Sequence, residues 1–69
     1  MLPERDELER NLESVLGERD HDRPLDSLDT AIVMSYLTSK GVQVGFDEGK
    51  AIRTIGGWLQ WAEQRSQPG

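Results

Sequence analysis

In 69 residues the sequence holds no cysteine, one histidine, three prolines and only 6% aromatic residues. Without cysteine no disulfide can staple the chain, and a zinc site built on thiolates is excluded. His21, the single histidine, lies in an acidic loop between Asp20 and Asp22. No second histidine supports a metal centre there, so a solvated loop and no metal site are expected. One histidine on such a loop also makes no credible Ser/His/Asp arrangement. Apolar runs of membrane-spanning length are missing, and Met1-Leu2-Pro3 gives way at once to acids rather than to a signal-like segment. A cytoplasmic protein with no membrane partner is the expectation. Basic residues are scarce too: 8 Lys and Arg face 13 Asp and Glu, a formal charge of −5. That balance disfavours nucleic acid and anionic membranes, both of which select for Lys and Arg.

What is present suffices for one small domain, residues 1–69, with 35% hydrophobic and 30% charged residues. A domain near this size buries only about 60% of the surface its unfolded chain exposes, so the core is thin. A buried multi-residue active site does not fit, and no catalytic residue is expected. Charge is uneven: residues 1–29 carry ten acids and four bases, residues 30–69 three acids and four bases. Residues 1–3 and 64–69 are expected to be flexible.

Leu8, Leu12, Val15 and Leu16 fall at i, i+4, i+7 and i+8, one face of a helix over about 4–16, with Pro3 before it and Gly17 after it. Asp6 and Arg10 are placed to pair at i, i+4. Gly17 to Asp26, with a glycine, a proline and four acids, reads as a loop whose one large apolar residue, Leu25, tucks under the domain. Asp26 can cap a second helix over 27–39, and Asp29 adds charge that the helix dipole favours. Leu28, Ala31, Ile32, Val33, Met34, Tyr36 and Leu37 make that helix apolar over most of its circumference, so it is central or carries a partner. Gly41 ends it. Val42 to Phe46 alternates, but with no second strand it reads as a connector whose apolar side chains plug the core. A short turn of helix over 47–52 follows. Thr54 then caps a last helix with Ile55, Trp58, Leu59 and Ala62 on one face. Gly56 and Gly57 in its first turn are unfavourable by about 1 kcal/mol each, consistent with a close helix–helix approach. The expected fold is all-α, a small bundle of three main helices plus one short helix. Trp58 and Trp61 are expected in core and semi-exposed packing. Gly45, Gly49 and Lys50 faintly echo a phosphate-binding loop, but the spacing is one residue short, no Ser or Thr follows Lys50, and no strand precedes.

The stretch that carries chemistry is Pro24-Leu25-Asp26-Ser27-Leu28-Asp29. It puts the Ser27 hydroxyl at the first residue of a helix, facing solvent and close to unpaired N–H groups that favour an attached phosphate. Plain capping is the more ordinary reading of Asp-Ser at a helix start. Asp26-Ser27-Leu28-Asp29-Thr30 ahead of an apolar helix resembles the phosphopantetheine attachment site of acyl carrier proteins. The resemblance extends to the leucine-rich helix before it and to Gly41-Val42-Gln43-Val44, a weaker form of the family's connector. Ala51-Ile52-Arg53-Thr54-Ile55-Gly56 is similar to its approach to the last helix, and about residues 4–63 are covered.

The resemblance implies that Ser27 receives 4′-phosphopantetheine from coenzyme A through a separate phosphopantetheinyl transferase. The arm's thiol then holds acyl groups as thioesters, so the reactive sulfur belongs to the cofactor and the protein itself catalyses nothing. By analogy, Asp26 helps to hold the transferase's divalent metal and Leu28 contacts that enzyme and later ones. Leu28, Asp29, Ala31, Ile32 and Ser35 would meet acyl-loading and acyl-processing partners, although Ile32 packing inward is an equal reading. Val33, Leu37, Phe46, Ile52, Ile55, Leu59 and Ala62 would line the interior, where the family can shelter an acyl chain. The loop before Ser27 is shorter than in the family, helix two bears no charge from Thr30 to Ser39, and Trp58 and Trp61 are bulky for the last helix. These departures point to a carrier of secondary metabolism, such as polyketide or hybrid assembly, and a monomer is expected. Alternatives are a peptidyl or aryl carrier, an unmodified helical protein-interaction module, and a small DNA-binding domain using Lys40, Lys50 and Arg53. The apolar second helix counts against the last, because a recognition helix offers polar side chains to bases.

Overall fold

A computed structural model describes residues 4–66, which form α1 (Arg5–Leu16), α2 (Ser27–Ser39), α3 (Phe46–Ala51) and α4 (Ile55–Ser66). Three longer helices and one short one make the expected all-α bundle, with no strand among the described residues. Pro3 and residues 67–69 lie outside the described residues. α4 continues three residues into the stretch expected as a flexible tail.

Leu8 and Leu12 are buried on α1, and Leu16 packs at the edge of the core. Val15 was expected on the same face but is 42% exposed. Strict i, i+4, i+8 spacing lines Leu8, Leu12 and Leu16 along the seam with α2 and α4, which leaves Val15 on its flank. Gly17 ends α1 in the left-handed region, φ 63°, where its N–H and that of Glu18 reach back to Ser14 and Glu13 carbonyls. The expected Asp6–Arg10 pair does not form. Arg5 instead gathers the local acids, binding Glu9 at 3.1 Å and Glu63 of α4, with Asp6 at 3.9 Å. Hydrogen bonding to Glu63 holds the Arg5 guanidinium above its ordinary pKa.

Val33 and Leu37 of α2 share one core with Ile55, Trp58, Leu59 and Ala62 of α4 and with Leu8, Leu12, Leu25 and Val42. Each large side chain buried there is worth about 1.5–3 kcal/mol of transfer free energy. Trp58 is 1% exposed and fills the centre, while Trp61 is half-buried and meets it edge-to-face with ring centroids 5.4 Å apart. Gly41, at φ 79°, turns the chain out of α2, and Val42 and Val44 point back into the core.

Phe46 does not join the interior. It is 68% exposed, with the Lys50 ammonium 5.1 Å from its ring centroid. α3 lies so close to α2 that a Cβ on Gly49 would stand 2.7 Å from Met34 Sδ, which leaves no depth for a phenyl ring on that turn. Gly56 and Gly57 do not mark a helix–helix contact either. A Cβ on Gly56 would face the His21 carbonyl at 3.4 Å, and one on Gly57 would face Ile52 Cγ2 at 3.1 Å. The close approach is therefore to the loop after α1 and to the residues just before α4.

Candidate functional site

The loop between α1 and α2 delivers Ser27, and local bonds account for its path. Glu18 accepts from the N–H groups of Arg19 and Asp20, and Asp20 Oδ1 accepts from Asp22 N. Leu25 is 2% exposed and donates its N–H to the Arg53 carbonyl at 2.7 Å. This anchor fixes the chain one residue before the N-cap, and α2 begins from a defined point.

Asp26 caps α2 as expected. Its backbone is extended, its carboxylate accepts from Asp29 N at 2.8 Å, and Asp29 Oδ2 accepts in return from Asp26 N at 3.4 Å. The result is a capping box built from two aspartates. Arg23 closes the arrangement by pairing with Asp29 at 3.3 Å and with Glu18. Ser27 is the first helical residue and is exposed. The N–H groups of Ser27 and Leu28 belong to the first turn and have no helical acceptor. A group esterified to the Ser27 oxygen would sit at the positive end of α2, in reach of solvent and of a second protein.

Leu28 is 70% exposed. Ala31 and Ser35 are exposed on the following turns, while Ile32 and Asp29 are half-buried. The structure thus brings Leu28, Ala31 and Ser35 onto an open strip next to Ser27, with Ile32 at its margin. The residues expected inside divide differently. Val33, Leu37, Ile55, Leu59 and Ala62 are buried, Ile52 is half-buried, and Phe46 lies outside.

His21 does not sit with its acidic chain neighbours. Its Nε2 stands 2.7 Å from Glu13 Oε2 and 3.8 Å from Glu9 Oε2, so it faces α1 rather than Asp20 and Asp22. The i, i+4 pair Glu9 and Glu13 was visible in the sequence, but nothing there showed that the loop folds back over it. Two surface depressions lie away from Ser27, and the second borders the His21 cluster at Glu13. One is bounded by Thr38, Val42, Val44, Glu48 and Arg65, the other by Arg10, Glu13, Ser14 and Arg19.

No protein-family model, functionally characterised protein or solved structure matches the chain. No helix among the described residues is long and apolar enough to cross a membrane.

Proposed function

We propose that this chain is an acyl carrier protein whose Ser27 carries a 4′-phosphopantetheine arm. One observation supports the reading above others: the Ser27 hydroxyl is exposed at the first residue of α2, inside an Asp26-Ser27-Leu28 motif held by a capping box. The reading rests on this motif and its placement in a small helical bundle, not on overall similarity to any known protein.

In this role Ser27 Oγ attacks the pyrophosphate of coenzyme A on a partner transferase. A phosphodiester forms to the pantetheine side, the nucleotide bisphosphate leaves, and the serine proton passes to a base on the transferase. The protein's part is presentation. Asp26 fixes the start of α2, the first turn tolerates the new negative charge, and the thiol of the arm supplies the sulfur that the chain lacks. Leu28 and Ala31 offer an apolar strip to successive partners, with Ile32 at its edge. The uncharged span from Thr30 to Ser39 fits a carrier of a specialised acyl pathway, with a peptidyl or aryl carrier as the nearest relative of this role. The exposed Leu28 and Phe46 also suit an unmodified protein-interaction module, which is the second reading.

Intact mass after incubation with coenzyme A, Mg²⁺ and a broad-specificity phosphopantetheinyl transferase separates the two. The carrier reading expects a gain of one phosphopantetheine, absent in Ser27→Ala. A folded protein that several transferases leave unmodified refutes it and favours the interaction module.

A further inference from the structure

We infer that Glu9, Glu13 and His21 form a binding site for a divalent zinc-type cation on the side of α1 that the 17–26 loop covers. The inference is independent of the carrier reading. One donor atom from each residue lies within 4.8 Å of the other two, and His21 Nε2 faces Glu9 Oε2 and Glu13 Oε2. Two carboxylates one helical turn apart and an imidazole arriving from a separate segment are a mixed oxygen and nitrogen set. Zinc accepts such a set with solvent in its remaining position, whereas Ca²⁺ and Mg²⁺ select oxygen ligands alone.

The two separations to His21 suit the ion after small rotations. In a tetrahedral site with bonds of about 2.0–2.2 Å, donor atoms stand about 3.3 Å apart. His21 Nε2 is 2.7 Å from Glu13 Oε2 and 3.8 Å from Glu9 Oε2, so binding would open the first separation and close the second by about half an ångström. The ligands are also held from behind. Arg5 Nη1 donates to Glu9 Oε1 at 3.1 Å, which leaves Oε2 to face His21. The His21 carbonyl accepts from Gly56 N at 3.1 Å, which ties the loop to the start of α4. Outer partners of this kind orient the ligands of established metal sites. Side-chain exposures of 25–31% at the three residues leave the ion a path from solvent. Bound there, the ion would pin the loop that leads to Ser27 against α1.

Titration calorimetry with ZnCl₂ in a non-chelating buffer tests this on the whole protein, beside Glu9→Gln, His21→Ala and the control Asp22→Asn. Glu9→Gln removes one ligand and leaves the His21–Glu13 hydrogen bond in place, so it separates loss of the ion from loss of the loop. The expected result is one Zn²⁺ per chain, with affinity reduced at least tenfold in Glu9→Gln and in His21→Ala and unchanged in Asp22→Asn. Ring ¹⁵N signals of His21 should shift with Zn²⁺ and not with Mg²⁺, and Tm should rise by on the order of 10 °C at a hundredfold excess over Kd. Absence of a one-to-one isotherm, or equal affinity in Glu9→Gln and the parent, overturns the site. Zinc bound by scattered surface acids would give that second result.

Discussion

Replacing Gly49 with alanine tests the closest approach made at a glycine among the described residues, because two effects of known size oppose each other there. Gly49 is buried inside α3, and its missing Cβ would stand 2.7 Å from Met34 Sδ, 3.2 Å from Cε and 3.3 Å from Cγ. Alanine in a helix interior is about 1 kcal/mol better than glycine. Overpacking typically costs about 1–3 kcal/mol, and here Met34 must leave its rotamer or α3 must move away from α2. Net destabilisation of about 0–2 kcal/mol follows for Gly49→Ala. In a Met34→Ala background the obstacle is gone, and the same change should stabilise by up to about 1 kcal/mol. The coupling between the two sites is therefore about 1–3 kcal/mol. A 69-residue domain has roughly 3–10 kcal/mol of stability, enough for the cycle to be measured. Urea unfolding followed by fluorescence of Trp58 and Trp61 gives all four values, since the core holds the first ring and packs against the second. Additive effects within about 0.5 kcal/mol would refute the Met34–Gly49 contact. So would Gly49→Ala stabilising the parent protein as much as it stabilises the Met34→Ala variant.

Other expectations follow from single contacts. Asp26→Ala should lower stability by about 0.5–2 kcal/mol by removing the cap on Asp29 N, while Asp26→Asn keeps the cap and loses little. If Asp26 also serves the transferase, Asp26→Asn should fold normally and slow Ser27 modification, as timed by intact mass; equal loss of stability in both variants would show that the cap is not the determinant. Leu28→Ser, at a residue 70% exposed, should change stability by no more than about 0.5 kcal/mol in chemical unfolding and yet weaken modification of Ser27. Leu12→Ala, at a fully buried position, should cost about 2–5 kcal/mol, and a Tm close to that of the parent would contradict the α1 seam.

The sequence by itself determined the helices and the presentation of Ser27, because both depend on local chemistry. Apolar spacing of 3.6 residues, the glycines after α1 and α2, Asp26 at the N-cap and Thr54 capping α4 through Gly57 N at 2.9 Å act within a few residues of themselves. Leu25 was legible for a similar reason, as the one large apolar side chain in a polar loop. Contacts between distant segments were beyond that reach. The apolar pattern placed Phe46 inside, but the depth available there is set by how closely α3 approaches α2, and the ring stays in solvent. Gly56 and Gly57 signalled a close neighbour without saying which, and it proved to be loop and connector rather than helix. In the chain His21 neighbours Asp20 and Asp22. Its true partners, Glu9 and Glu13, lie on α1. They reach the imidazole because the chain reverses at Gly17 and is tied down again where Gly56 N meets the His21 carbonyl and where Leu25 N meets the Arg53 carbonyl. Such pairings depend on the packing of three helices together, and no local pattern encodes them.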